Sequence, residues 1–88
     1  MYYATVRIGY EPTRKAFKSI KSARLYVMKW MDDHPRSMFK PTISSNGRVL
    51  EYIIRGDSPM EYMVYDDRGY HYTRKDGSLT PVKRYGSH

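Results

Sequence analysis

One segment of the chain, between Ser19 and Asp33, has helical periodicity, and this limits what the rest can form. At 100° per residue its apolar side chains fall on one face. They are Ile20, Ala23, Val27, Trp30 and Met31, with Tyr26 at the edge. Ser19 predicts the N-cap, and His34-Pro35 predicts the end, because a residue before proline avoids the α region. A single helix with one apolar face needs a sheet to cover it.

Alternation of apolar and polar residues predicts a strand before the helix. In residues 2–10 the even positions are apolar or aromatic, so we expect a half-buried strand with Arg7 on its outer face. A turn is expected at residues 11–13, followed by a short return strand at 14–18. The even positions, predicted to face inward, are Tyr2, Ala4, Val6, Ile8 and Tyr10.

Turn signals divide the second half of the chain into hairpins. Asn46-Gly47 favours a two-residue type I′ turn between strands expected at 40–45 and 48–55. Two more strands are expected at 61–65 and 70–74, and Pro81 places segment 78–83 at a sheet edge or outside the sheet. The predicted fold is therefore α+β, with a single helix packed on one face of a mainly antiparallel sheet, in the order β(β)αββββ.

Size and composition indicate one small folded domain. The chain has 88 residues, of which 40% are hydrophobic and 28% are charged, as in ordinary globular chains. We expect a single basic domain over residues 1–88, with 86–88 as a disordered tail or a cloning remnant.

The absence of cysteine excludes disulfides, thiolate zinc sites and cysteine nucleophiles. Small secreted domains usually depend on disulfides, so we expect a cytoplasmic protein.

The longest apolar stretch, residues 25–28, is far shorter than the ~20 residues of a spanning helix, and no membrane partner is expected. His34 and His71 have nearby carboxylates, but their spacing matches no ligand motif. We therefore expect no metal, no cofactor and no catalytic residues.

Basic residues are concentrated in the first half of the chain. The net charge is +7; residues 1–44 hold nine Lys and Arg against three acids, whereas residues 45–88 hold seven against six. A basic balance of this kind favours a polyanionic partner, above all nucleic acid. The residues predicted to contact phosphate are Arg7, Arg14, Lys15, Lys18, Lys21, Arg24 and Lys29.

The most specific form of this prediction is an anion site at the start of the helix. Lys18 and Lys21 crowd the positive end of the helix dipole, where a bound phosphate would offset their repulsion. The hydroxyls of Ser19 and Ser22 could reach the same anion. The alternative is a solvated surface helix with unoptimised charges, because each misplaced charge costs only about 0.3 kcal/mol.

The ten tyrosines are well above ordinary usage. Tyrosine combines a large, rigid ring with one polar tip, so it recurs at interfaces and stacks on unpaired bases. We expect Tyr3, Tyr65 and Tyr85 on the sheet face away from the helix, near Arg7. Tyrosine also favours strands, and half-buried packing is expected for six others. These are Tyr2, Tyr10, Tyr26, Tyr52, Tyr62 and Tyr72.

Three functions are compatible with these patterns. The leading hypothesis is a small, non-enzymatic nucleic-acid-binding module whose affinity falls steeply with salt. The second is a protein-binding regulator or inhibitor of a host nucleic-acid-processing enzyme, of the kind viruses use. Its partner would be an acidic or nucleic-acid-associated protein that meets the basic face. The expected partner contacts are Tyr3, Leu25, Met28, Tyr65 and Tyr85. Homodimerisation through the open sheet face or an edge strand is a variant of it. The third is a toxin-like ribonuclease using His71, Arg74 and Lys75 with a tyrosine.

Overall fold

The computed structural model describes residues 1–56 and 62–83, which form one helix on one face of a six-stranded antiparallel sheet. The predicted α+β fold and its element order are confirmed. Tyr85 and residues 86–88, for which predictions were made, lie outside the described residues. The elements are β1 (Tyr2–Ile8), β2 (Glu11–Phe17), α1 (Ile20–Asp33), β3 (Thr42–Ser45), β4 (Arg48–Arg55), β5 (Tyr62–Tyr65) and β6 (Tyr70–Tyr72). Across the sheet the strands follow the order β2-β1-β3-β4-β5-β6.

The start of α1 is capped by Ser19, as predicted. Its backbone is extended and its Oγ accepts the N–H of Ser22 at 3.1 Å, which satisfies one of the free donors of the first turn. The predicted end near Asp33 is also confirmed.

The end of α1 is capped from the sheet by Arg55 of β4. Its Nη2 donates to the carbonyl oxygen of Met31 at 2.9 Å and to that of His34 at 2.7 Å. A cation at this position stabilises the negative end of the helix dipole. This contact joins the helix to a strand more than twenty residues later in the chain.

The core lies between α1 and the inner face of the sheet. The predicted apolar face of the helix is confirmed, with Ile20 half-buried and the other four positions buried. The strands contribute alternate residues to this layer, as expected for a sheet with one covered face. The buried apolar residues are Ala4, Val6, Ala23, Val27, Trp30, Met31, Ile43, Ile53, Tyr62 and Val64.

The first hairpin turns earlier than the sequence suggested. The turn lies at Gly9 and Tyr10, where Gly9 has a positive φ of 64°, and residues 11–13 belong to β2. The prediction that Ile8 and Tyr10 face the core is wrong. Ile8 is 55% exposed and Tyr10 is 93% exposed, because the hairpin extends beyond the part of the sheet that α1 covers.

The second hairpin has the predicted turn. Asn46 and Gly47 both have positive φ, 53° and 75°, which is the requirement of a type I′ turn. The last segment forms no regular strand; isolated bridges join Thr73 to Leu79 and Tyr70 to Lys83. This agrees with the expected effect of Pro81. Over the described ranges, no helix is long and apolar enough to cross a membrane.

Candidate nucleic-acid interface

The sheet face that points away from α1 carries a continuous line of polar and aromatic residues. Each member is the register partner of the next on the adjacent strand, so all lie on the same face. We call this line the transverse row. In order from β2 to β6 it consists of Arg14, Thr5, Thr42, Tyr52, Tyr65 and Tyr70. The isolated bridge to Tyr70 extends the row to Lys83.

One end of the transverse row is aromatic. The Tyr65 and Tyr70 rings lie with their centroids 5.8 Å apart, and the Tyr72 ring is edge-on to Tyr70 at 6.1 Å. The ammonium of Lys83 lies 5.7 Å from the centre of the Tyr72 ring. Tyr52, which was predicted to be packed, is 50% exposed. This end therefore presents a group of rings with a cation beside them.

The other end of the open face is cationic. The guanidinium of Arg14 lies 4.9 Å from the centre of the Tyr3 ring, and that of Arg7 lies 5.8 Å from the centre of the Tyr10 ring. The Arg7 Nε also donates to the carbonyl oxygen of Gly9 at 3.1 Å. These contacts hold two exposed guanidinium groups in place while leaving donors to meet a ligand.

Between the two ends the face carries hydroxyl groups. Thr5, Thr42 and Ser44 occupy the central strands and are partly exposed. Each hydroxyl can both donate and accept a hydrogen bond. Tyr3 and Tyr65 lie on the open face, where the sequence placed them. The arrangement as a whole provides cations, ring faces and hydrogen-bonding groups in one surface.

The predicted anion site at the start of α1 is partly occupied by its own residues. The Ser19 hydroxyl donates to the Ser22 Oγ at 2.9 Å while accepting the Ser22 N–H, so both hydroxyls are already engaged. Lys21 lies 3.6 Å from a carboxylate oxygen of Asp76. Lys18 is exposed. These contacts leave less at the helix end to hold a phosphate than the sequence suggested.

The predicted phosphate contact at Arg24 is wrong. Its guanidinium is buried, with Nε and Nη2 donating to the two carboxylate oxygens of Glu51 at 2.9 and 2.6 Å. Its Nη1 donates to the carbonyl oxygen of Gly77 at 3.0 Å. The helix turns this side chain towards β4 because Glu51 faces inward there. Each of its three nitrogens is already bonded within the fold and the residue is only 7% exposed, so Arg24 is not presented to a nucleic acid.

The remaining predicted residues lie away from the open face. Lys15, on the inner side of β2, lies 5.0 Å from the centre of the Tyr26 ring. Lys29 is exposed on α1, where it lines a surface groove together with Leu25 and Met28. The predicted basic residues therefore do not form one patch, and the structure brings only Arg7 and Arg14 onto the aromatic face.

His71 lies on the inner side of β6 and is 4% exposed, so its ring is not presented to a substrate. Its Nδ1 lies 2.8 Å from the carbonyl oxygen of Thr80, and its Nε2 lies 3.0 Å from a carboxylate oxygen of Asp66. Burial alone would raise the pKa of Asp66, but hydrogen bonds from the Arg68 backbone, His71 and the Arg68 side chain outweigh it and lower that pKa. The contact between His71 and Asp66 is structural and lies on the inner side of the β5–β6 hairpin.

Residues 1–56 and 62–83 contain no group of three or more histidine or carboxylate side chains that could hold a metal ion.

Four residues of the open face were not predicted to belong to a binding surface. They are Tyr52, Tyr70, Tyr72 and Lys83. The signal that could have found part of this group is cross-strand register, since the turn at residues 66–69 aligns Tyr65 with Tyr70.

No protein-family model matches the chain, and no curated protein and no solved structure shows significant similarity to it.

Proposed function

We propose that the protein is a small, non-enzymatic nucleic-acid-binding module and that the open sheet face is its binding surface. The observation that carries the proposal is the transverse row, which has a cation at each end, Arg14 and Lys83, and tyrosine rings between them. Nucleic acid presents phosphates and ring faces at regular intervals, and a surface that offers both kinds of partner matches it.

The overall charge supports this choice of partner. The chain carries a net charge of +7, which raises the local concentration of a polyanion and speeds its encounter with the protein. The guanidinium groups of Arg7 and Arg14 are exposed on the open face and already oriented by the Tyr10 and Tyr3 rings. Each can donate to phosphate oxygens without first losing a buried partner.

The open face is a better binding surface than the helix end because its cations Arg7, Arg14 and Lys83 are exposed. At the helix end the Ser19 hydroxyl caps the first turn and donates to the Ser22 Oγ, and Arg24 is buried. On the open face the middle of the sheet keeps partly exposed hydroxyls, and Tyr52 is 50% exposed.

Fluorescence anisotropy with labelled single-stranded DNA, duplex DNA and RNA across a salt series tests the proposal. We expect salt-dependent binding that Arg14→Glu weakens at least tenfold. Lys29→Glu is the matched control, because it makes the same charge change on the helix surface. Binding to none of the three at moderate salt, or equal loss with both variants, would rule out the open face as a nucleic-acid surface.

A second candidate function, regulation of another protein, is favoured by one observation. Tyr10 is 93% exposed and Met38 is 91% exposed. Met38 and Gly9 line the same depression together with Arg7, so the hairpin tip and the loop after α1 form one surface. Tyrosine, methionine and arginine are the residue types enriched at protein interfaces. An apolar cleft with an acidic rim would be complementary to it.

Photo-crosslinking in the cell of origin tests this second function. A benzophenone amino acid in place of Tyr10 should give one discrete adduct with a partner protein, and the adduct should disappear with Met38→Ala. The same substitution at Val49, an exposed residue of β4, is the control and should give none. Adducts of equal intensity at both positions would show that this surface has no specific partner.

A further inference from the structure

We infer that the nucleic acid recognised by the open face is an unpaired segment that runs across the strands, along the transverse row, and not a duplex. This inference rests on the proposed function, since it names the form of nucleic acid and its path at the same surface. The path is set by Arg14 at one end and Lys83 at the other.

The dimensions of the row fit a short single strand. Neighbouring strands lie about 4.8 Å apart, so the six steps from Arg14 to Lys83 cover about 29 Å. Stacked nucleotides of a duplex advance about 3.4 Å each, so rings spaced as in this row match a more extended chain. A row of this length holds about four to six nucleotides, at the short end of the range known for single-strand-binding folds.

The three tyrosines of the row offer surfaces for bases to lie on. Tyr52, Tyr65 and Tyr70 are consecutive register partners, so their rings form a line perpendicular to the strands. The Tyr65 and Tyr70 centroids are 5.8 Å apart, which is too close for a base between them, because a base needs about 3.4 Å on each side. Bases would therefore rest on the outward-facing parts of these rings, and only unpaired bases can do so.

The central part of the transverse row can form hydrogen bonds with the bases that lie beyond the tyrosines. Thr5 and Thr42 can donate to or accept from any base edge, which favours tolerance of sequence over a strict code. A duplex keeps its base faces stacked inside, so its contacts would be confined to phosphates at Arg14 and Lys83. The tyrosines of the transverse row would then contribute little to binding a duplex, and the length of the row would match no feature of the duplex.

A path along β1 and β2 is the alternative on the same face. It would use the pairs Tyr3 with Arg14 and Tyr10 with Arg7. These two rings are seven positions apart in the chain, and Tyr10 lies on the hairpin tip beyond the strand. The tyrosines on β4, β5 and β6 are closer to one another and lie in register, which favours the path across the strands.

The test combines a length series with a cross-linking map on the intact chain. The probes are fluorescein-labelled oligothymidylates of two to twelve nucleotides, the matching RNA oligouridylates, and a blunt twelve-base-pair duplex. We expect the affinity to rise steeply up to about five nucleotides and then level off. The duplex should bind at least tenfold more weakly than a single strand of the same length.

Single 5-iodouracil substitutions in a six-nucleotide strand then locate the path. After irradiation we expect cross-links to Tyr52, Tyr65 and Tyr70, at positions that shift along the row with the position of the label. Tyr52→Ala should lower single-strand affinity at least fivefold and leave duplex affinity unchanged, with unaltered far-UV circular dichroism as the check on folding.

Failure of this inference can be told apart from failure of the proposed function. Cross-links at Tyr3 and Tyr10 with binding intact would overturn the path and leave nucleic-acid binding standing. Equal or tighter affinity for the duplex would overturn the unpaired form in the same way. No binding of any probe, from a chain shown to be folded, would overturn both.

Discussion

Arg24 and Glu51 form a buried, two-pronged ion pair between α1 and β4, with Nε–Oε1 and Nη2–Oε2 distances of 2.9 and 2.6 Å. The third guanidinium contact, from Nη1 to the carbonyl oxygen of Gly77, ties the turn after β6 to the same helix. A planar guanidinium matches a carboxylate in this way and a lysine would not. One side chain therefore links three parts of the chain that are far apart in sequence.

Replacing Arg24 with methionine should destabilise the fold strongly, because Glu51 would be left as a buried charge without a partner. We expect a loss of about 3 to 5 kcal/mol in the free energy of unfolding, measured by urea denaturation. Adding Glu51→Leu should recover most of it, since an apolar pair can fill the same space. A double variant no more stable than Arg24→Met would show that the charge pair is not the source of the effect.

This ion pair also marks the limit of prediction from sequence. The helix, its cap at Ser19 and its apolar face could be predicted because they depend on residues close together in the chain. Arg24 looked like part of a basic surface because nothing nearby in sequence indicates its partner. Glu51 lies 27 residues away, and only the packing of α1 on β4 brings the two together.

The residues of the candidate site could also be predicted only in part from the sequence. Alternation predicted that Tyr3 and Tyr65 face away from the helix, and they do. The same alternation placed Tyr10 in the core, because periodicity does not show where a strand passes beyond the helix that covers it. The transverse row depends on the registers of five strand pairs, which turn residues only partly determine.

A side chain at position 77 should destabilise the fold, because the turn that contains Gly77 lies directly on α1. It has a positive φ of 85°, and a Cβ there would lie 2.7 Å from the carbonyl oxygen of Lys21 and 3.2 Å from the Leu25 Cγ. We expect Gly77→Ala to cost about 2 to 4 kcal/mol in urea denaturation. Gly47→Ala is the control, with a positive φ of 75° but nothing within 4 Å, and should cost about 1 kcal/mol. Equal losses would show that the contact with the helix is unimportant.

Tyr62 should make the fold sensitive to alkaline pH. Burial raises its pKa to about 12, and the hydrogen bond that its hydroxyl donates to Asp32 adds to the shift. Between the ordinary value of 10.0 and about 12, the unfolded chain loses this proton and the folded chain keeps it, so stability falls as pH rises. The total loss is about 2 to 3 kcal/mol. Denaturation from pH 9 to 12 should therefore show a weaker pH dependence for Tyr62→Phe than for the native chain, and a Tyr52→Phe control should not.

Asp66 should make the fold sensitive to acid pH. Hydrogen bonds to its carboxylate hold its pKa below the ordinary value of 3.8 despite its burial. Below about pH 4 the unfolded chain takes up this proton before the folded chain does, so stability falls as pH falls through the folded pKa. Asp66→Asn should be less stable at pH 6 and should lose less on acidification, measured by thermal denaturation. Asp67→Asn, a change at the exposed neighbour, should keep the native acid dependence.

The two cations that end the transverse row should each contribute to the salt dependence of nucleic-acid binding. Each phosphate contact on a single strand adds about 0.7 to the slope of log affinity against log salt concentration. Arg14→Ala and Lys83→Ala should therefore each lower that slope by about 0.7, and the double variant should lower it by about 1.4. Lys29→Ala, which removes an exposed charge from α1, should reduce affinity slightly and leave the slope unchanged. A slope that falls equally for all three single variants would mean that the charge acts as a diffuse field and not through contacts at the ends of the row.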